Sequence, residues 1–201
     1  MSYNNKVTIK NISLVKSHVS CHFGALESYQ LSERTRYQYL KQLNKLPVDT
    51  IQQLQALEPL HVVVCKTIDK KNNKKSTQYK FFSGWFWLLL CREKNIKEVK
   101  VILHQEQGIA HIKQAAWVYL LACELKCMHR KTGLGQLSQV VEQAPIDLRK
   151  SLLGDCYSWS SSQVIQTLSQ ESSDAVRIQT KKLSSVSIVK KSIFDELIRG
   201  N

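Results

Sequence analysis

Acidic residues, long apolar runs and catalytic motifs are all scarce in this sequence. The apolar run from Trp85 to Cys91 has seven residues and the longest, Ala115 to Cys123, has nine, whereas a membrane-spanning helix needs about 20. The first residues, Met1 to Asn5, are polar, and no apolar core of a secretory signal follows them. We therefore expect a cytoplasmic protein with no membrane partner.

The shortage of acids leaves a strongly basic chain. Against 29 Lys and Arg stand 16 Asp and Glu, which gives a formal net charge of +13. Such a surplus favours a polyanionic partner, most often nucleic acid, because each phosphate contact by Lys or Arg releases counterions. Between His61 and Lys100 there are ten basic residues and three acids. DNA is the expected partner, although turn lysines also suit a merely solvated loop. The expected phosphate contacts are Lys70, Lys71, Lys74 and Lys75.

No catalytic constellation can be assembled from the sequence. It offers no Ser-His-Asp, paired-carboxylate or Walker-type arrangement, and Gly133-x-Gly135 lacks the lysine that a P-loop needs. His18, Cys21 and His22 form a cluster, but no second pair at zinc-finger spacing accompanies it. The six cysteines are scattered in apolar contexts, which is typical of free thiols in a reducing compartment. We expect no metal, no cofactor and no enzyme activity.

The segment from His61 to Gln105 carries the clearest structural pattern. Apolar β-branched runs predict strands, and a cluster of Asn, Asp and Lys between them predicts the turn of a hairpin. The predicted order is a strand, a basic turn, a second strand, a glycine, a helix and a third strand, at residues 60–65, 69–75, 79–82, 84, 85–94 and 99–103.

This order, with a glycine between strand and helix, resembles the N-terminal domain of ParB-type proteins, which have the ParB/sulfiredoxin fold. In that family a strand ending in P-I-V-V pairs with one reading Y-x-I-I-x-G-E-R-R, and a helix and a further strand follow. Residues 59–64, 79–84 and 95–102 resemble these phrases over about 45 residues, about a quarter of the chain. The resemblance implies an α/β fold and a nucleotide pocket at Ser83 and Gly84.

The sequence departs from the family where nucleotide phosphates bind. Trp85, Phe86 and Trp87 stand where the family has Glu-Arg-Arg, and aromatic rings cannot replace the paired hydrogen bonds of arginine. Sulfiredoxin-like reductases place a catalytic Cys just after this glycine, whereas Cys91 comes about two helical turns later. We therefore expect a degenerate nucleotide-binding motif.

The second half of the chain has helical periodicity. A long amphipathic helix is predicted from His111 to Lys131, ended by the glycines that follow. Residues 136–143 and 145–153 then outline a helix-turn-helix, whose second helix would expose Arg149 and Lys150. ParB-type proteins carry such a module, although plain helical packing is the alternative. A last helix at residues 184–199 would pack on the core or form a homodimer.

These patterns predict a ParB-like α/β domain over residues 1–108 and a helical domain over residues 109–201. The expected function is that of a non-catalytic DNA-binding protein related to plasmid or chromosome partition and mobile-element proteins. Two alternatives stay open. One is a protein–protein adaptor or inhibitor that uses Trp85 and Trp87 as anchors if they are exposed, and the other is a nucleotide-binding switch.

Overall fold

The computed structural model describes residues 8–32, 43–68, 75–105, 107–126, 133–154 and 158–185. The chain divides into two compact units, one containing the described residues up to Ala116 and the other those from Trp117. The first unit combines a sheet with helices, and the second is built from helices in its described part. The expected mixed α/β class is therefore confirmed. The division between the units falls inside one helix, α3 (Ile109–Lys126).

Among its described residues, the α/β unit contains five strands, a 3₁₀ turn at Phe23–Ala25 and a helical stretch at residues 26–32. The described strands and longer helices that precede α3 are, in chain order, β1 (Thr8–Ser13), β2 (His18–Cys21), α1 (Val48–Leu57), β3 (Leu60–Ile68), β4 (Lys75–Ser83), α2 (Trp85–Glu93) and β5 (Glu98–His104).

The five strands form one mixed sheet in the order β1-β5-β3-β4-β2. β3 and β4 are antiparallel, and their register runs to the pair Ile68 and Lys75, so the predicted hairpin is confirmed. β1 is antiparallel to β5, whereas β5 with β3 and β4 with β2 are parallel pairs. Strand β2 was not predicted. It contains His18 and Cys21, so this part of the supposed metal cluster is an edge strand.

Helix α2 is the centre of the core. Every side chain from Trp85 to Cys91 is buried, as expected of a helix that is apolar on all sides. The Trp85 indole N–H donates to the Ser32 hydroxyl at 3.0 Å, and that hydroxyl donates to the Tyr29 carbonyl at 2.6 Å. The sequence pattern predicts a helix that begins at Ser32 as its N-cap, but residues 26–32 are already helical, so this predicted start is wrong.

The junction between β4 and α2 requires glycine. Gly84 has a φ of +76°, and a methyl group on it would lie 2.4 Å from the Pro59 carbonyl oxygen and 2.9 Å from Leu60 Cα. Both neighbours are backbone atoms and cannot rotate away. The close contact fixes α2 against the residues that lead into β3.

A side-chain amide completes the sheet where β3 has not yet begun. β3 starts at Leu60, opposite Val101. Lys100 precedes Val101 on β5. The Gln55 side chain donates to the Lys100 carbonyl at 2.7 Å and accepts from the Lys100 N–H at 2.8 Å. Gln55 thus provides the two hydrogen bonds that a strand residue would make, and ties α1 to β5.

In the ranges that the structure describes, the helical unit contains the C-terminal part of α3 and four further helices. The glycines predicted to end α3, Gly133 and Gly135, instead lie in the first turn of α4. Gly135 is required there because a methyl group on it would lie 2.9 Å from the Gln179 carbonyl oxygen. Three of the helices share one core of Leu134, Leu137, Val141, Val164, Ile165 and Val176. The four helices are α4 (Gly133–Gln143), α5 (Ile146–Leu153), α6 (Ser161–Ser169) and α7 (Ser173–Ser185); α4, α6 and α7 supply that core.

We predict that Gly84→Ala lowers the free energy of unfolding by more than about 2 kcal/mol. The left-handed backbone alone costs an L-residue about 1–2 kcal/mol, and the clash with Pro59 adds to it. Urea unfolding followed by circular dichroism measures the change. Gly108→Ala is the matched control, because nothing lies within 4 Å of a methyl group there. Equal losses in the two variants would contradict the assigned role of Gly84.

Candidate nucleic-acid interface

The basic surplus is concentrated on the α/β unit. Among described residues, that unit carries eleven Lys and Arg against five Asp and Glu, whereas the helical unit carries six against five. Non-specific attraction to phosphate depends on net positive charge. The α/β unit is therefore the stronger candidate for contacts to a nucleic-acid backbone.

Within that unit, two described lysines, Lys66 and Lys75, lie near the end of the hairpin. β3 ends at Ile68 and β4 begins opposite it at Lys75. The two strand ends on either side of residues 69–74 therefore lie side by side. Lys66, near this end of β3, is exposed. Of the four predicted contacts in this segment, Lys75 lies at the start of β4, whereas Lys70, Lys71 and Lys74 lie outside the described residues.

The predicted helix pair α4 and α5 is present, joined by Ala144 and Pro145. Lys150 is exposed on α5, but Arg149 is only half-exposed. Its Nε atom is buried and finds no hydrogen-bond partner in the described part of the chain. Arg149 lines a small cavity with Trp117, Val140 and other apolar side chains. The expectation that both residues project from an exposed face therefore holds for Lys150 alone.

A second pair of helices, α6 and α7, is joined by a three-residue turn. The serine-rich segment after residue 155 predicts a short helix near residues 163–168, which is confirmed as α6, whereas α7 was not predicted. Ser160 forms a capping box with Gln163 at the start of α6. The turn begins at Gln170, which has a left-handed φ of 59°. The residue that could have predicted α7 from the sequence is Ser172, a typical N-cap. Its hydroxyl accepts from the Ala175 N–H at 3.2 Å.

The nucleotide pocket implied by the family resemblance falls in a densely packed region. Ser83 is buried, and the left-handed turn at Gly84 lies against the Pro59 backbone. The Trp87 indole N–H donates to Glu58 at 3.2 Å from the first turn of α2. Core side chains therefore occupy the positions at which the family has its arginines. The pKa of the buried Cys91 thiol is raised to about 12 by desolvation, so this thiol is not a nucleophile at neutral pH.

The aromatic anchors of the adaptor alternative are not exposed. Trp85 is fully buried and Trp87 is 9% exposed. A partner could reach neither ring without opening the core. The adaptor alternative required Trp85 and Trp87 to be exposed, and neither is.

A histidine pair lies on the sheet at the strands β3 and β5. His61 Nδ1 and His104 Nε2 are 2.9 Å apart, and the Phe82 ring packs edge-on against both imidazoles. Burial, and secondly His104, lower the pKa of His61 to about 4, although Glu58 opposes the shift. Burial, and secondly His111, also lower the pKa of His104. Both rings are therefore neutral at pH 7 and form a half-buried structural contact.

Comparisons with known proteins add no assignment, since no family model, no curated protein and no solved structure matches this chain. Over the described ranges, no three His, Cys, Asp or Glu side chains are arranged to hold a metal ion. A search of the same residues finds no helix that could span a membrane.

We predict that acid destabilises the fold through the histidine pair. In the unfolded chain His61 takes up a proton near its ordinary pKa of 6.5, but in the folded chain it does so only near 4. The free energy of unfolding therefore falls as the pH is lowered through this window. A shift of this size corresponds to about 3 kcal/mol at most.

The test is urea unfolding at pH 7, 5.5 and 4.5. In His61→Gln, the loss of stability with acid should be smaller than in the wild type. Val63→Ala serves as the control, because Val63 is buried on the neighbouring part of β3 and the change removes no imidazole. An unchanged pH dependence in His61→Gln would contradict the prediction.

Proposed function

We propose that this protein binds duplex DNA without catalysis, and that it is related to the ParB-type proteins of plasmid or chromosome partition and of mobile elements. One observation carries the proposal. The basic surplus is concentrated on the α/β unit, where lysines flank the end of the β3–β4 hairpin.

The charge of this unit matches the chemistry of a polyphosphate backbone. Lysine is a compact point charge on a flexible stem, which suits phosphate contacts that do not depend on base sequence. Lys66 is exposed on β3, and Lys75 pairs with the last residue of that strand. The proposed contact surface consists of these two lysines with Lys70, Lys71 and Lys74 of the connection.

The arrangement of the α/β unit supports the family relationship. A hairpin, a left-handed glycine, a helix and a parallel strand follow one another in the order that the ParB resemblance implies. The packing around Gly84 argues against the nucleotide-switch alternative, because large aromatic side chains begin the helix that would otherwise face phosphates. A ParB-like scaffold used for DNA contact alone fits both observations.

We predict that the protein binds a random-sequence duplex and that the affinity falls steeply with salt. Fluorescence anisotropy at 50 and 200 mM salt measures both. Changing Lys70, Lys71, Lys74 and Lys75 to Ala should weaken binding and flatten the plot of log K against log salt, because each lost phosphate contact removes about 0.9 from the slope.

The matched control changes the same number of exposed lysines elsewhere. Lys16, Lys45, Lys97 and Lys126 are all exposed, and their replacement by Ala lowers the net charge equally. If the two quadruple variants lose the same affinity, the hairpin is not the contact surface. If the wild type does not bind at 50 mM salt, the proposed function is wrong.

A further inference from the structure

The turn between α6 and α7 has the length of a helix–turn–helix connection. α6 ends at Ser169 and α7 begins at Ser173, so the turn is Gln170, Glu171 and Ser172. Gln170 takes the left-handed conformation at which glycine is usual in such turns. Because this conformation is accessible to residues other than glycine at moderate cost, the missing glycine does not prevent the motif.

The inner face of α7 is fixed to the rest of the unit. Val176 is buried in the core that α4 and α6 share. Gln179 accepts from the Leu134 N–H at 2.9 Å, at the start of α4. Gly135 allows the backbones of α4 and α7 to touch at this point. Three helices around one core hold α7 rigidly in place.

The outer face of α7 is polar and mainly basic. Arg177 and Asp174 form an exposed ion pair at 3.0 Å, and such pairs are weak enough to exchange partners. Ile178 is 47% exposed beside them, so this face also offers one apolar side chain. The exposed side chains of the helix are Ser173, Asp174, Arg177, Ile178, Lys181 and Lys182.

We propose that α7 is the helix that reads DNA sequence, by lying in the major groove as the second helix of the α6–α7 motif. This inference rests on the proposed DNA binding and names the reading surface. Arg177 has the planar fork that bonds both acceptors of guanine, and an apolar side chain such as Ile178 fits the thymine methyl group. The remaining cations, Lys181 and Lys182, would contact phosphate beside the groove.

The same observations favour α7 over α5. Helix α5 follows α4 after only two residues, Ala144 and Pro145, whereas a helix-turn-helix usually has a turn of about 3–4 residues. Arg149 of α5 turns its Nε atom into the protein. On α7, by contrast, the side chains of Arg177 and Ile178 are both exposed.

The experiment selects bound sequences from a duplex library with a randomised centre, using the full chain. The wild type should enrich a motif containing a G·C pair. Arg177→Ala and Arg177→Lys should both lose the preference for that pair by about tenfold or more, while the affinity for a random duplex changes only a few-fold. The lysine variant keeps the charge but not the fork, so its loss of preference separates reading from attraction.

Two further variants locate the surface. Ile178→Ala should relax the preference for a T·A pair in the same motif, and Lys150→Ala on α5 should leave the motif unchanged. Thermal unfolding checks that each variant folds. An unaltered motif in the Arg177 variants, or one altered by Lys150→Ala instead, overturns the proposal. Salt-dependent binding without any enriched motif also overturns it but leaves the proposed function standing, whereas no binding at all removes both.

Discussion

The left-handed turn at Gly84 is the constraint on which the α/β unit depends. It brings the backbone of the β4–α2 junction into contact with the Pro59 carbonyl and Leu60. The start of α2 is therefore fixed relative to the start of β3. Because α2 is buried from Trp85 to Cys91, its position decides how the core packs against the sheet. A side chain at residue 84 would separate the helix from the strand and open that core.

The same constraint explains why the nucleotide chemistry of the ParB family is not expected in this chain. A glycine between strand and helix can serve two purposes, since it permits close approach of either a phosphate or another segment of the backbone. Here the Pro59 backbone makes the close approach, and aromatic residues fill the first turn of α2. Packing therefore accounts for the glycine without a bound phosphate.

Local pattern predicted the elements whose signal lies in their own residues. The hairpin, α2 and β5 all follow from apolar runs and turn residues. Edge strand β2 was missed because its partner is β4, far along the chain, and its four residues include only two fully buried ones, Val19 and Ser20. Helix α7 was missed because serines surround its start. The half-burial of Arg149 depends on tertiary packing, which no local pattern encodes.

A chain that binds DNA gains specificity when the cations that attract phosphate are separate from the side chains that recognise base sequence. Phosphate attraction is independent of sequence, so each cation added near a reading helix strengthens correct and incorrect sites alike. The helical unit is nearly neutral over its described residues, and the α/β unit carries the surplus. In such a chain the basic hairpin would set the affinity for any duplex. Discrimination would then depend on the few exposed side chains of α7.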